Sequence, residues 1–261
     1  MWLDYNRVQM KIEHISISRD GCYQECQQKY KFRYHLKTAS PEPEPIYFAF
    51  GKTLHKIIEE HTRAKGSIEL SKVAKDVLTG KIELEHGKKA PRYDAEHQNK
   101  LIRMLGHYKR LVDKIGYEGE IEWKFDVDMD GNGRKMTGFI DRMIRKGDEF
   151  FLLDYKTTKV GGWRKNERTI GSDLQLMCYC YVVMNHFKVP ASNIRAALFY
   201  LDDNKLVPTK FNEQALLSVP QKLLATYKEI EEMNPDKVYG NVGRHCTRCD
   251  YRSLCPFYAL T

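Results

Sequence analysis

Gly138-Phe139-Ile140-Asp141-Arg142, followed after a turn by Phe151-Leu152-Leu153-Asp154-Tyr155-Lys156-Thr157, decides how the rest of this chain is read. Side chains alternate across an extended strand, so Asp154 and Lys156 share one face. Asp141 belongs to the preceding strand of the same hairpin, where it can sit near them. The apolar run Phe150-Phe151-Leu152-Leu153 predicts that this strand is buried. A buried strand that ends in Asp and Lys is poorly explained as a surface ion pair beside a turn. Two carboxylates and an ammonium facing one spot suit a hard divalent cation with oxygen ligands, Mg²⁺ or Mn²⁺.

Working outward, Glu120 to Met129 alternates like a strand, and Asp130-Gly131-Asn132-Gly133 is a strong hairpin turn. Lys135 to Ile144 makes the return strand, Arg145-Lys146-Gly147-Asp148 turns the chain again, and Glu149 to Lys156 forms the third strand. Asp126-x-Asp128-x-Asp130-Gly131 imitates the start of an EF-hand loop, but its twelfth position is Thr137 rather than Glu. The segment therefore reads as a hairpin.

Before this meander the pattern is helical: from Ser18, as N-cap, to Tyr34; from Phe50 to Ala64, with Leu54, Ile57, Ile58 and His61 on one face; and over residues 94–115. Ser40-Pro41-Glu42-Pro43-Glu44-Pro45 is a stiff, extended connector. Residues 66–92 read as a short helix and a loop. After the meander, Ser172 caps a helix to Phe187, residues 194–201 form a strand, and Phe211 to Met233 is helical with a break at Pro220. The order predicts an α/β fold, a mixed sheet flanked by helices, in a single domain over residues 1–261.

The chain has 261 residues, 42% hydrophobic and 30% charged, which suits a soluble globular protein. No apolar stretch is long enough to cross a bilayer, so no membrane partner is expected. The start, Met1-Trp2-Leu3-Asp4-Tyr5, does not read as a secretion signal, so the expected address is the cytoplasm, or a host cytoplasm for a viral protein. The 43 Lys and Arg against 35 Asp and Glu leave a net charge of +8, which favours a polyanionic partner. Seven cysteines in a reducing compartment point to ligands rather than to a disulfide framework.

The motif order resembles the RecB-like branch of the PD-(D/E)xK nucleases. Gly-x-Ile-Asp-Arg followed by Asp-Tyr-Lys-Thr matches the catalytic core of that branch. Its helical Gly-x-x-x-His is matched by Gly51-Lys52-Thr53-Leu54-His55, and its Gln-x-x-x-Tyr by Gln175-Leu176-Met177-Cys178-Tyr179. The four motifs occur in the family order and place the nuclease core at about residues 48–201.

The resemblance implies that Asp141, Asp154 and His55 hold the divalent metal, His55 as a neutral nitrogen ligand. It implies that Lys156 orients or activates the attacking water, and that Gln175 and Tyr179 line the site. Glu122 reads as an outer acid or a solvated residue. Glu59 reads as a partner that orients His55 or as a solvated residue.

Cys246-x2-Cys249-x5-Cys255-Pro256 has ligand spacing but is one thiolate short of a tetrahedral set. Cys26, in Cys26-Gln27-Gln28-Lys29-Tyr30, resembles the N-terminal cysteine of RecB-like nucleases that carry an iron–sulfur staple. Gln27 stands where that family often has proline. The resemblance implies a 4Fe-4S cluster on Cys26, Cys246, Cys249 and Cys255, joining segments 16–36 and 240–261. The spacing alone also suits structural Zn²⁺. Cys22 is the rival N-terminal ligand and His245 a rival in the tail, while Cys178 and Cys180 read as small buried residues.

Lys159, Trp163, Arg164 and Lys165 follow the catalytic strand and are expected to contact nucleic acid, bases stacking on the indole and cations tracking phosphates. The function expected is metal-dependent exonuclease action on single-stranded DNA ends. A CRISPR-associated RecB-like nuclease that trims DNA is an alternative within the fold. A non-catalytic DNA-binding subunit is the alternative from another class, weakened by the complete Asp141, Asp154 and Lys156.

Overall fold

In the computed structural model, residue 10 and residues 12–162 and 164–258 are described. Among these residues are six strands and seven α-helices: β1 His14–Ile15, α1 Ile17–Glu25, α2 Gln27–Tyr30, α3 Ile46–Arg63, α4 Leu70–Leu78, α5 Ala95–Ile115, β2 Glu120–Asp128, β3 Lys135–Lys146, β4 Glu149–Lys156, α6 Leu174–Phe187, β5 Ile194–Tyr200, β6 Lys205–Thr209 and α7 Glu213–Glu232. They gather into two compact units. Of the described residues, one holds those up to Glu44, Phe125–Gly138 and those from Leu217 on; the other holds Pro45–Lys124 and Phe139–Leu216.

The second unit is built around a mixed sheet. β3 and β4 are antiparallel, with Arg142 beside Leu153 and Lys146 beside Glu149. β4 and β5 are parallel from Phe150↔Ile194 to Lys156↔Tyr200, with α6 as the crossover that a parallel pair requires. β5 and β6 are antiparallel, and Pro208 of β6 stands beside Ala197. Helices α3, α4 and α5 bury their apolar stripes in one core with this sheet. Leu54, Ile57, Val77, Met104, Tyr108 and Val112 meet Leu153, Ala197, Phe199 and Leu201 there. α5 begins at Asp94, whose carboxylate accepts the His97 N–H, and ends at Gly116 with φ of 80°. These are the caps that local chemistry favours.

In the first unit β1 runs parallel to the start of β3, His14 pairing with Lys135 and Ile15 with Met136. The predicted hairpin forms as read. The Asp128 carboxylate accepts the N–H groups of Gly131 at 2.8 Å and Gly133 at 2.9 Å, so it closes its own turn. The N-terminal segment is sewn to the tail. Arg33 pairs with Asp250, Phe32 stacks on Tyr251 at 5.4 Å, and Arg252 pairs with Glu42 at 2.7 Å. The Tyr227 hydroxyl donates to the Ile12 carbonyl at 2.8 Å.

Several boundaries differ from expectation for physical reasons. The first predicted helix starts at Ser16, whose hydroxyl accepts the Arg19 N–H, and it breaks at Cys26, which is extended (φ −164°). Asp173, not Ser172, caps α6. α3 starts four residues before Phe50, directly after Pro45, which fixes φ but cannot continue a helix backwards. α7 runs through Pro220. Leu216, Val219, Leu223, Tyr227 and Ile230 are all buried, and that continuous stripe outweighs the one backbone hydrogen bond a proline forfeits. No helix among the described residues is long and apolar enough to cross a membrane.

Candidate active site

Every residue of the site lies in the second unit. Asp141 on β3 accepts the backbone N–H of Tyr155 on β4 at 2.8 Å. That bond explains why the Asp must sit on the neighbouring strand of the hairpin. α3 brings His55 over the two strands, with Nδ1 3.5 Å from Asp141 Oδ2 and Nε2 2.9 Å from the Tyr155 carbonyl oxygen. That contact has the length of a hydrogen bond, Nε2–H donating to the carbonyl oxygen, which leaves the Nδ1 lone pair on the Asp141 side free to ligate.

Glu122 on β2 completes the group. The ligand atoms of His55, Glu122 and Asp141 lie within 4.8 Å of one another, the one such His/Cys/Asp/Glu group among the described residues. Glu122 has φ of 50°, a left-handed conformation that costs a non-glycine residue roughly 1–2 kcal/mol. The backbone before it is clamped. The Arg142 guanidinium, almost fully buried, donates to the carbonyls of Gly116 at 2.6 Å and Glu118 at 3.1 Å. At Gly119, with φ of 113°, a Cβ would stand 2.3 Å from the Met143 carbonyl oxygen, so only glycine fits. The Arg of Gly-x-Ile-Asp-Arg thus holds the backbone that leads into Glu122.

Asp154, only 2% exposed, pairs through Oδ2 with Lys156 Nζ at 2.7 Å. Lys156 also donates to Gln175 Oε1 at 2.9 Å. Gln175 Nε2 donates to the Tyr179 hydroxyl at 2.6 Å, and that hydroxyl reaches Asp154 Oδ1 at 3.5 Å. One connected chain of polar contacts therefore runs through Asp154, Lys156, Gln175 and Tyr179. Asp154 stands beside the three-residue ligand group rather than within it.

Glu59 does not orient His55. Its carboxylate is engaged by Lys56 at 3.2 Å and Arg63 at 3.0 Å on its own helix. In the loop after β4, Arg164 is tied to the Thr158 carbonyl and to Asp203 at 2.8 Å, and it stacks on Tyr200 at 4.5 Å. Lys159 is exposed, Lys165 is partly covered, and Trp163 lies outside the described residues.

Burial and mutual charge shift the titration of this group. Burial, then the Asp154 charge, hold Asp141 well above the usual carboxylate range. Burial and the Asp141 charge push Glu122 up to about 7. Burial lowers the His55 pKa, which keeps the imidazole neutral and fit to ligate. For Lys156 burial works against the charge, but Asp154, Asp141 and Asp173 outweigh it, so the ammonium is retained. Carboxylates crowded in this way cost energy when ionised, and a divalent cation removes that cost.

The family model of the PD-(D/E)XK nuclease superfamily matches residues 14–256. The chain belongs to this superfamily. Its nucleases use divalent metals, in keeping with the His/Glu/Asp group. Among solved structures, the fold resembles that of a candidate exonuclease from Eubacterium rectale, with a TM-score of 0.55 and 13% identity over 96% of this chain and 93% of that one. SSO0001 aligns with a TM-score of 0.36 and 15% identity, over 80% of this chain and 95% of that one, too weak a likeness to carry an argument. No curated protein matches the chain.

A pH dependence follows for the metal-free protein. The Glu122 carboxyl ordinarily titrates near 4.5 and is raised to about 7 in the fold, so the folded chain holds its proton more tightly than the unfolded one. The resulting stability is present below pH 4.5 and is lost as pH rises through 7. In EDTA the melting temperature is expected to fall between about pH 5 and pH 8, with Mn²⁺ restoring it at the upper end. Glu122→Gln should flatten that fall. A profile in EDTA as steep in Glu122→Gln as in wild type would discount the crowded carboxyl.

Proposed function

We propose that this chain is a metal-dependent DNA exonuclease acting on single-stranded ends. The observation that carries the reading is the convergence of His55, Glu122 and Asp141 beside an ammonium held by Asp154 and Gln175. Asp154 joins the metal's ligands in this reading. A bound Mg²⁺ or Mn²⁺ would supply positive charge to the phosphoryl oxygen and lower the pKa of the attacking water. The chain's own residues do the positioning. Lys156 is fixed from two sides, so its charge is aimed in advance at the negative charge that develops on the phosphate. Tyr179 and Gln175 hold that geometry, and the Tyr155 N–H keeps Asp141 in place. The likeness in fold to a candidate exonuclease supports the exonuclease reading, as do the four RecB-like motifs in order. The family model runs through both units, which supports one nuclease built from the whole chain.

The reading includes a 4Fe-4S cluster on Cys26, Cys246, Cys249 and Cys255. These four cysteines line one cavity in the first unit, and Cys22 is not among its lining. No three of their sulfurs lie within 4.8 Å of one another among the described residues. The choice of a cluster over structural Zn²⁺ rests on the RecB-like resemblance, since four thiolates suit either.

End-labelled single- and double-stranded DNA, incubated with Mg²⁺, Mn²⁺ or EDTA, tests the activity directly. Metal-dependent shortening of the single strand from an end is expected. Cleavage that persists in EDTA, or none with either metal, would sink the reading. Affinity for single-stranded DNA should fall linearly in log–log plots against salt, with a slope near −0.7 per phosphate contacted, given the +8 charge. Salt-independent binding would remove phosphate contacts from the account.

A further inference from the structure

The two elements that carry His55 and Asp141 also carry large aromatic rings left in solvent. Phe48 is 52% exposed, Tyr47 50% and Phe139 51%. Scattered exposed apolar side chains need no explanation. These are in phase with the metal ligands. Phe48 precedes His55 by seven residues on α3, two turns and about 10 Å along the same helix face. Gly51 lies between them on that face, where a Cβ would stand 3.4 Å from Thr157 Oγ1, the residue next to Lys156. The helix therefore carries Phe48 past the end of the catalytic strand. Tyr47 backs it, the two ring centroids 4.5 Å apart. Phe139 precedes Asp141 by two residues on β3, about 7 Å away and on the same strand face.

We propose that Phe48, backed by Tyr47, and Phe139 are stacking platforms for unpaired bases, one on each ligand-bearing element, that hold a single strand across the metal group. The proposal rests on the nuclease reading and sharpens its substrate class. Every base has a π-face that stacks on an aromatic ring, and that face is free only in an unpaired strand. Bases in a duplex are already stacked on one another. The platforms therefore select for single strands without selecting sequence.

The test is binding by fluorescence anisotropy in EDTA, with a labelled oligo-dT and an oligomer of the same length made of abasic sites. Phe48→Ala and Phe139→Ala should each weaken oligo-dT binding by roughly five- to a hundred-fold and leave the abasic oligomer unaffected. Phe48→Trp should restore it. Both side chains are half exposed, so unchanged melting temperatures are expected and check that the variants fold. Wild-type-like affinity for both oligomers in both variants, or equal losses on both oligomers, would overturn the proposal while metal-dependent cleavage by wild type left the nuclease reading intact. A wild-type protein that neither binds nor cleaves DNA would remove the nuclease reading and the platforms with it.

Discussion

Asp154→Asn and Lys156→Gln are each expected to lower the rate of DNA cleavage by about 10²–10³-fold or more, with DNA binding retained. The ion pair between them is 2.7 Å long and its Asp is 2% exposed. Removing one partner of a buried pair strands the other charge, a change that typically costs about 3–5 kcal/mol. Alanine at either position would therefore confound stability with catalysis. The amide replacements leave a polar group near each position and a smaller void than alanine, but they too strand one charge, so melting temperature is measured beside the rate. If melting temperatures stay close to wild type and cleavage collapses, the pair acts on the phosphate. Wild-type-like rates in either variant, from protein free of contaminating nuclease, would remove both residues from the chemistry. Gln175→Ala should give a smaller loss than Lys156→Gln, because Asp154 still holds the ammonium from its other side.

The second large effect concerns the cysteines. Protein purified without air should contain roughly four irons per chain if four thiolates hold a 4Fe-4S centre. Cys26→Ser should lose the iron and much of the soluble yield. Bridging residues 26 and 246 closes nearly the whole chain into a loop, and releasing it returns that conformational freedom to the unfolded state. Cys22→Ser should keep its iron. Its thiol is outside the cavity, and burial pushes its pKa up to about 11, away from the thiolate a metal needs. Cys178→Ala and Cys180→Ala should also keep iron, since both thiols are buried on α6 in the other unit. Iron lost from Cys22→Ser and retained in Cys26→Ser would show that the wrong N-terminal ligand had been chosen. One tightly bound zinc in place of iron would leave the nuclease core standing.

How much of this was legible in the sequence depended on how local the determining physics is. The meander from Glu120 to Lys156 was readable because alternation and the Asp130-Gly131-Asn132-Gly133 turn act within a few residues. Gln175 and Tyr179 were placed together by helical spacing alone. β6 was missed. Lys205 to Thr209 is short and contains Pro208, and its pairing with β5 is decided by the sheet rather than by its own five residues. β1, two residues long, gave no pattern at all. The break expected at Pro220 failed because propensity is a local cost and the buried stripe of α7 is a longer-range gain. Glu122 was noticed but not ranked as a ligand. Its place beside His55 and Asp141 depends on a left-handed backbone turn inside a strand, for which a glutamate gives no sequence signal. Nothing in the sequence showed that Asp202 and Asp203, far along the chain, stand beside Arg164.

Pro208 also matters beyond the strand in which it sits. β6 ends the strand order, and the margin of a sheet offers a row of donors and acceptors to any other extended chain. Proline has no N–H to offer, and charged Lys205 stands at the start of the strand. Another extended chain docking there would meet no N–H at Pro208, so this border resists extension of the sheet.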